Sequence, residues 1–91
     1  MSAPISEKWQ RSSLERIHVD PHGEGWAVRA DSLDEPLLFV SGAEAEETAR
    51  ILGEKFAFTG RPAEIHVRLR DGRTAGRFLF TPPWLGEVGE R

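Results

Sequence analysis

Three histidines and one aspartate are the residues of this 91-residue chain whose types and spacing first suggest chemistry. His18, Asp20 and His22 follow one another at intervals of two, and His66 lies in a later segment. His18 and Asp20 would share one face of a β-strand, with His22 just beyond in the turn, and His66 would come near them if the two hairpins were adjacent. Zinc sites need several convergent ligands with supporting partners, and no recognised ligand spacing occurs. Since no nucleophile or phosphate loop accompanies the histidines, we expect no metal, no cofactor and no enzymatic activity.

Arginines form a second group, concentrated late in the chain. Residues 61–77 contain five arginines and two acids, a local charge of +3, whereas residues 31–54 contain seven acids and one arginine, a local charge of −6. The net charge of −3 therefore hides a segregation of charge. A basic sheet face is suited to binding phosphates or an acidic partner. The candidate binding residues on this face are Arg16, Arg29, His66, Arg68, Arg70, Arg73 and Arg77.

Composition limits the remaining classes of function. The chain has no cysteine, which excludes disulfides, thiolate zinc sites and a cysteine nucleophile. No apolar run is long enough to cross a bilayer, and the first residues lack the pattern of a signal peptide. We therefore expect one small cytoplasmic domain that makes no contact with a membrane.

The elements that must position these side chains begin with a hairpin. Ile17 and Val19 alternate with polar residues, a dense turn sequence follows at 21–25, and Trp26 and Val28 alternate in the next segment. This pattern predicts two antiparallel strands, with Trp26 packed under a helix. The apolar run at 37–40 is too short for a helix and predicts a third strand.

A helix is predicted to begin immediately after the third strand. Ser41 and Glu44 have the spacing of a capping box, and Gly60 followed by Pro62 signals the end of the helix between residues 55 and 59. Four apolar residues recur at helical spacing and predict the buried face. They are Ala45, Ala49, Leu52 and Phe56.

The last structured segment is predicted to be a second hairpin. Residues 64–70 and 73–80 flank Asp71 and Gly72, a pair typical of a two-residue type I′ loop. In the register that this loop sets, Arg70 pairs with Arg73. The other predicted pairs are Ile65 with Phe78, His66 with Arg77, Val67 with Gly76, Arg68 with Ala75, and Leu69 with Thr74.

The order β-β-β-α-β-β predicts an α+β fold, in which an antiparallel sheet of four to five strands carries one helix packed on one face. We expect residues 1–13 to form a flexible arm, residues 14–80 the domain, and residues 81–91 a tail containing proline and tryptophan. In that tail, Trp84 is a candidate for docking on a partner.

Three short motifs resemble a family of small bacterial domains of unknown function. They are His-Val-Asp-Pro at 18–21, Gly-Trp-Ala-Val at 25–28 and Arg-Asp-Gly-Arg at 70–73, together with the Ala/Glu-rich helix between them. The resemblance covers roughly residues 16 to 78 and departs from the family's pattern at 33–40 and in the tail. It implies this fold and a bacterial origin, and the family supplies no catalytic residues to transfer.

A second likeness is to the domain of HicB-type antitoxins, which also runs three strands into a helix. It rests on the order of elements and on residues 25–28, and the third-strand motif and the DNA-binding segment of that group are missing. We therefore expect a non-catalytic binding or protein-interaction module, and the alternative is a nucleic-acid-associated regulator of the antitoxin type.

The expected partner is another protein or a second copy of the chain, paired through a third or first strand left open at the sheet edge. Nucleic acid is less favoured as a partner. No aromatic residues alternate with the arginines for base stacking, and the acidic start of the helix would repel phosphate.

Overall fold

The computed structural model describes residues 14–82, and the structural statements below concern those residues. It confirms the predicted α+β fold, with one helix packed on a five-stranded sheet. The elements are β1 Glu15–His22, β2 Gly25–Ala30, β3 Leu37–Phe39, α1 Gly42–Phe58, β4 Ala63–Arg68 and β5 Thr74–Phe80. Within residues 14–82, no helix is long and apolar enough to cross a membrane. The predicted arm at 1–13 and the tail from residue 83 onward, including Trp84, lie outside the described residues.

The strands are ordered β3-β2-β1-β4-β5, and every neighbouring pair is antiparallel except the central pair β1–β4, which is parallel. A parallel pair is possible here because β2, β3 and α1 intervene and carry the chain back to the starting end of the sheet. The expectation that a first strand could be left at an edge was wrong, since β1 has neighbours on both sides. The two edges are β3 and β5.

The core lies between α1 and one face of the sheet. Apolar residues of the three central strands contact small residues of the helix, with Trp26, Leu52 and Phe56 packed at the margin. At Gly53 an added Cβ would lie 3.0 Å from the Phe80 ring and 3.3 Å from Ile65, so the absence of a side chain lets α1 approach the sheet closely. The buried core residues are Ile17, Val19, Val28, Ala30, Ala45, Ala49, Ala63, Ile65 and Val67.

Both predicted ends of α1 are confirmed. The Ser41 Oγ accepts a hydrogen bond from the Glu44 amide at 3.2 Å, as a capping serine does. At the other end Gly60 has φ +101, and the amide of Arg61 donates to the carbonyl of Phe56 at 2.8 Å. This is the Schellman arrangement, which turns the chain out of the helix and toward β4.

The β4–β5 hairpin differs from its predicted form at the loop. The Leu69 amide donates to the Arg73 carbonyl at 2.7 Å, and the Gly72 amide donates to the Leu69 carbonyl at 2.9 Å, so three residues form the loop. Gly72 has φ +91, which fits a type I turn followed by a left-handed residue. The predicted two-residue type I′ loop, which paired Arg70 with Arg73, was wrong.

A β-bulge compensates for the longer loop. Arg68 pairs with Thr74, not with Ala75 as predicted, and the register shifts between Arg68 and Val67 so that Val67 pairs with Gly76. Beyond this point the predicted pairs are confirmed, including His66 with Arg77. The extra residue in the loop and the extra residue in the bulge cancel, so the faces of residues 76–80 are as predicted, whereas Thr74 shares the face of Arg68 and not that of Leu69.

An ion pair between a buried carboxylate and a half-buried arginine holds the starting end of the central strands, and the sequence patterns did not predict it. Glu15 is fully buried, and its Oε1 lies 3.1 Å from Nη2 of Arg61. The same carboxylate accepts hydrogen bonds from the amide and the hydroxyl of Ser32, at 2.7 and 2.8 Å. These contacts join β1, the β2–β3 loop and the α1–β4 loop.

Candidate anion-binding site

Strand alternation brings polar side chains together on the face of the sheet opposite α1, which we call the open face. In β1 the residues that alternate with buried Ile17 and Val19 lie on this face, and their cross-strand partners share it. The charged and imidazole side chains of the open face are Arg16, His18, Asp20, His22, Arg29, Glu64, His66, Arg68 and Arg77.

A row of basic residues crosses four strands of the open face. His18 pairs with Arg29 on one side and with His66 on the other, and His66 pairs in turn with Arg77. The two imidazole rings stack, with centroids 5.2 Å apart and planes 23° from parallel. The parallel β1–β4 pairing therefore brings His66 beside His18, as expected for adjacent hairpins.

Two carboxylates lie on either side of this row. Asp20 is bracketed by Arg68 Nε at 3.6 Å and Arg29 Nη1 at 3.7 Å. Glu64 lies 3.3 Å from His66 Nε2 and 3.4 Å from Arg77 Nε. Four arginines thus lie on the open face with two acids, so this face has an excess of positive charge even when the histidines are left out of the count.

An open depression of about 500 Å³ lies at the end of the open face nearest the two hairpin loops. Among the described residues that line it, Asp20 is the only acid, and Arg29, Arg68 and Arg70 contribute three guanidinium groups. The Arg29 and Arg68 side chains are 53% and 58% exposed, so both remain accessible to a ligand. The lining residues are His18, Asp20, Pro21, Arg29, Arg68, Leu69, Arg70 and Gly72.

Arg70 forms a fixed wall of the depression. It lies in the β4–β5 loop, and its Nη1 and Nη2 donate to the carbonyls of Gly23 and Gly25 at 3.0 and 2.8 Å. Its guanidinium also lies 5.1 Å from the centroid of a Trp26 ring, within the range of a cation–π contact. Arg70 therefore joins the two hairpins, and fewer of its donors are left for a ligand.

The remaining predicted residues are more scattered. His66 and Arg77 belong to the row across the sheet, outside the lining of the depression. Arg73 lies in the loop, where its Nε is 2.9 Å from Asp71. Arg16 is exposed toward the opposite end of β1, where its amide donates to Asp31 at 3.2 Å. The structure thus gathers three of the predicted arginines, Arg29, Arg68 and Arg70, at one place.

Two residues that line the depression, His18 and Asp20, were not among the predicted binding residues, although the period-two pattern of β1 had already placed them on one face. The parallel pairing with β4, which a sequence pattern does not reveal, is what brings them to Arg68. Among residues 14–82, no three histidine or acidic side chains come together as a group able to hold a metal ion.

The geometry of the depression suits an anion held by charge and hydrogen bonds. Guanidinium groups donate in a planar fork that matches carboxylate and phosphate oxygens.

In comparisons with known proteins, no family model, no curated protein and no solved structure matches this chain.

Proposed function

We propose that this protein is a non-catalytic binding module whose open face holds an acidic segment of a partner protein. The observation that carries the proposal is that Arg29, Arg68 and Arg70 line a single depression, in which Arg29 and Arg68 share one carboxylate, Asp20. Three guanidinium groups against Asp20 leave an excess of positive charge in a chain that is acidic as a whole.

The distances around Asp20 support the proposal that Arg29 and Arg68 can bind a carboxylate of the partner in place of Asp20. Nε of Arg68 and Nη1 of Arg29 lie 3.6 and 3.7 Å from the Asp20 carboxylate, longer than a charge-assisted hydrogen bond of about 2.7–2.9 Å. Each side chain is more than half exposed, so an incoming carboxylate can take its free donors without displacing packed atoms.

Charge placement favours an acidic protein segment over a nucleic acid. Asp20 and Glu64 flank the basic row on either side, so a continuous phosphate backbone laid along the row would pass close to both carboxylates. The aromatic side chains of β2 and β5, which are Trp26, Phe78 and Phe80, lie on the helix side of the sheet and do not share the open face with Arg29 and Arg68. Separate carboxylates on a flexible peptide can reach the arginines and avoid the acids.

Fluorescence anisotropy tests this proposal with a labelled peptide of alternating glutamate and serine. The test variant combines Arg29→Gln and Arg68→Gln, and the matched control combines Arg50→Gln and Lys55→Gln on α1, which changes the net charge equally. We expect the peptide to bind in low salt, the test variant to bind about tenfold more weakly, and the control to bind as the wild type does. Circular dichroism establishes that both variants are folded.

Two results would contradict the proposal. One is equal peptide affinity for the test variant and the control, which would mean that the depression is not the contact. The other is tighter binding of a labelled single-stranded RNA of the same net charge, since that outcome favours the nucleic-acid-associated regulator. Increasing salt weakens either complex, so both ligands are compared at one ionic strength.

A further inference from the structure

The two edges of the sheet differ in what they offer to another strand. Within residues 14–82, β3 pairs only with β2 and β5 pairs only with β4. β3 is three residues long and follows Pro36, and a short edge preceded by proline is a poor template for pairing. β5 is seven residues long, contains no proline and presents a longer row of backbone groups.

β5 also carries exposed apolar side chains on both of its faces. Phe78 lies on the helix side and is 47% exposed, and Leu79 lies on the open face and is 63% exposed. The core of α1 packs over β1, β2 and β4, which leaves the outer part of β5 uncovered. The bulge lies at the loop end of the strand, so residues 76–80 form a regular edge.

From this edge we infer that β5 pairs antiparallel with β5 of a second copy of the chain, about a twofold axis at Phe78. Residues opposite one another must lie on the same face of a continuous sheet, so the twofold axis must pass through a residue and not between two residues. The candidate positions near the middle of the regular edge are Arg77, Phe78 and Leu79. With the axis at Phe78, this residue faces its own copy, Leu79 faces Arg77, and Phe80 faces Gly76.

This register brings apolar side chains together and does not place the two copies of Arg77 directly opposite each other. Leu79 packs on the aliphatic stem of Arg77 of the second copy. Aromatic pairs across strands, such as the Phe78 pair, stabilise antiparallel sheets. The whole paired segment lies inside β5, and the product is one sheet of ten strands.

The two neighbouring axes are less favourable. An axis at Arg77 places two guanidinium groups directly opposite each other, which opposes pairing. An axis at Leu79 places Gly76 opposite Pro82, and proline has no amide to donate to the ladder. The strand sequence therefore selects a second copy of itself in one register.

Sedimentation equilibrium tests the interface by means of two equally exposed leucines. Leu79 on β5 is 63% exposed and Leu38 on β3 is 61% exposed, and each lies on the open face of an edge strand. At about 100 µM we expect the wild type to sediment with twice the chain mass of 10.2 kDa, since dimerisation depends on concentration. Leu79→Lys should weaken the dimer at least about tenfold, whereas Leu38→Lys should not weaken it.

Single cysteines test the register, since the chain has no native cysteine. Opposite residues of an antiparallel pair have Cα atoms about 4.5–5.5 Å apart, which suits a disulfide, so Phe78→Cys should form a covalent dimer on mild oxidation. With the axis at Phe78, two copies of Leu79→Cys would lie about 8 Å apart and should cross-link poorly.

Three outcomes would overturn the inference. A wild type that is monomeric at about 100 µM excludes the dimer. A dimer lost in Leu38→Lys but not in Leu79→Lys assigns the contact to β3. Faster cross-linking through residue 79 than through residue 78 moves the axis away from Phe78. None of these outcomes depends on peptide binding, so this inference and the proposed function can fail separately.

Discussion

Arg70 and Trp26 connect the two hairpins of this protein. The Arg70 guanidinium lies 5.1 Å from the centroid of a Trp26 ring and donates hydrogen bonds to two carbonyls beside that tryptophan, those of Gly23 and Gly25. The contact spans the β4–β5 loop and the β1–β2 hairpin, so one side chain fixes the end of the sheet that carries the depression. Arg70 was predicted as part of a binding surface, and its contacts also give it a role in positioning that surface.

Arg70→Lys should lower the free energy of unfolding by about 1–2 kcal/mol, since lysine cannot donate to both carbonyls and stack on Trp26 in one geometry. Urea denaturation followed by circular dichroism measures the change. The control is Arg73→Lys in the same loop, whose pair with Asp71 is largely exposed and should contribute less than about 1 kcal/mol. Equal effects of the two substitutions would refute the positioning role of Arg70.

Glu15→Ala should be more damaging, by about 3 kcal/mol, because it removes a buried carboxylate that accepts from Ser32 and pairs with Arg61. The comparison is Glu47→Ala, whose exposed pair with Arg50 on α1 should contribute less than about 1 kcal/mol.

A double-mutant cycle then separates the pair from other contacts of Glu15. If the ion pair is the cause, Arg61→Ala should add little once Glu15 is alanine. Additive losses in the urea experiment would show that Glu15 and Arg61 act independently.

The order of elements could be predicted because each one carries a local signal. Alternation in β1, the capping pair of Ser41 and Glu44 and the terminating Gly60 depend on neighbouring residues, and all three were confirmed. The faces of β4 and of residues 76–80 in β5 were also predicted correctly, because the inserted loop residue and the bulge cancel in the pairing of His66 with Arg77.

The features that were missed depend on contacts distant in sequence. Nothing near β1 indicates that it pairs in parallel with β4, and this pairing is what brings Asp20 to Arg68. The buried Glu15 likewise depends on Ser32 and Arg61, from two other loops. The candidate site was therefore only partly predictable, since its arginines were identified but not which of them converge.

Gly25→Ala should loosen β3, because an added Cβ would collide with the backbone carbonyl oxygen of Phe39. We expect a loss of about 1–2 kcal/mol in stability and faster amide exchange over residues 37–39. Gly23→Ala is the control, since its Cβ would meet nothing within 4 Å although its φ of +58 strains any side chain. If Gly25→Ala leaves exchange in β3 no faster than Gly23→Ala does, the proposed collision is incorrect.

Asp20→Asn should strengthen binding of the acidic peptide, because Asp20 is the one carboxylate that competes with the ligand for Arg29 and Arg68. Removing one negative charge at close range in a solvated site is worth about 1 kcal/mol, which corresponds to an increase in affinity of about fivefold. Asp34→Asn in the exposed β2–β3 loop changes the net charge equally and should leave the affinity nearly unchanged. An equal increase in both variants would mean that overall charge governs the binding, and a decrease in Asp20→Asn would mean that Asp20 orients the arginines for the ligand.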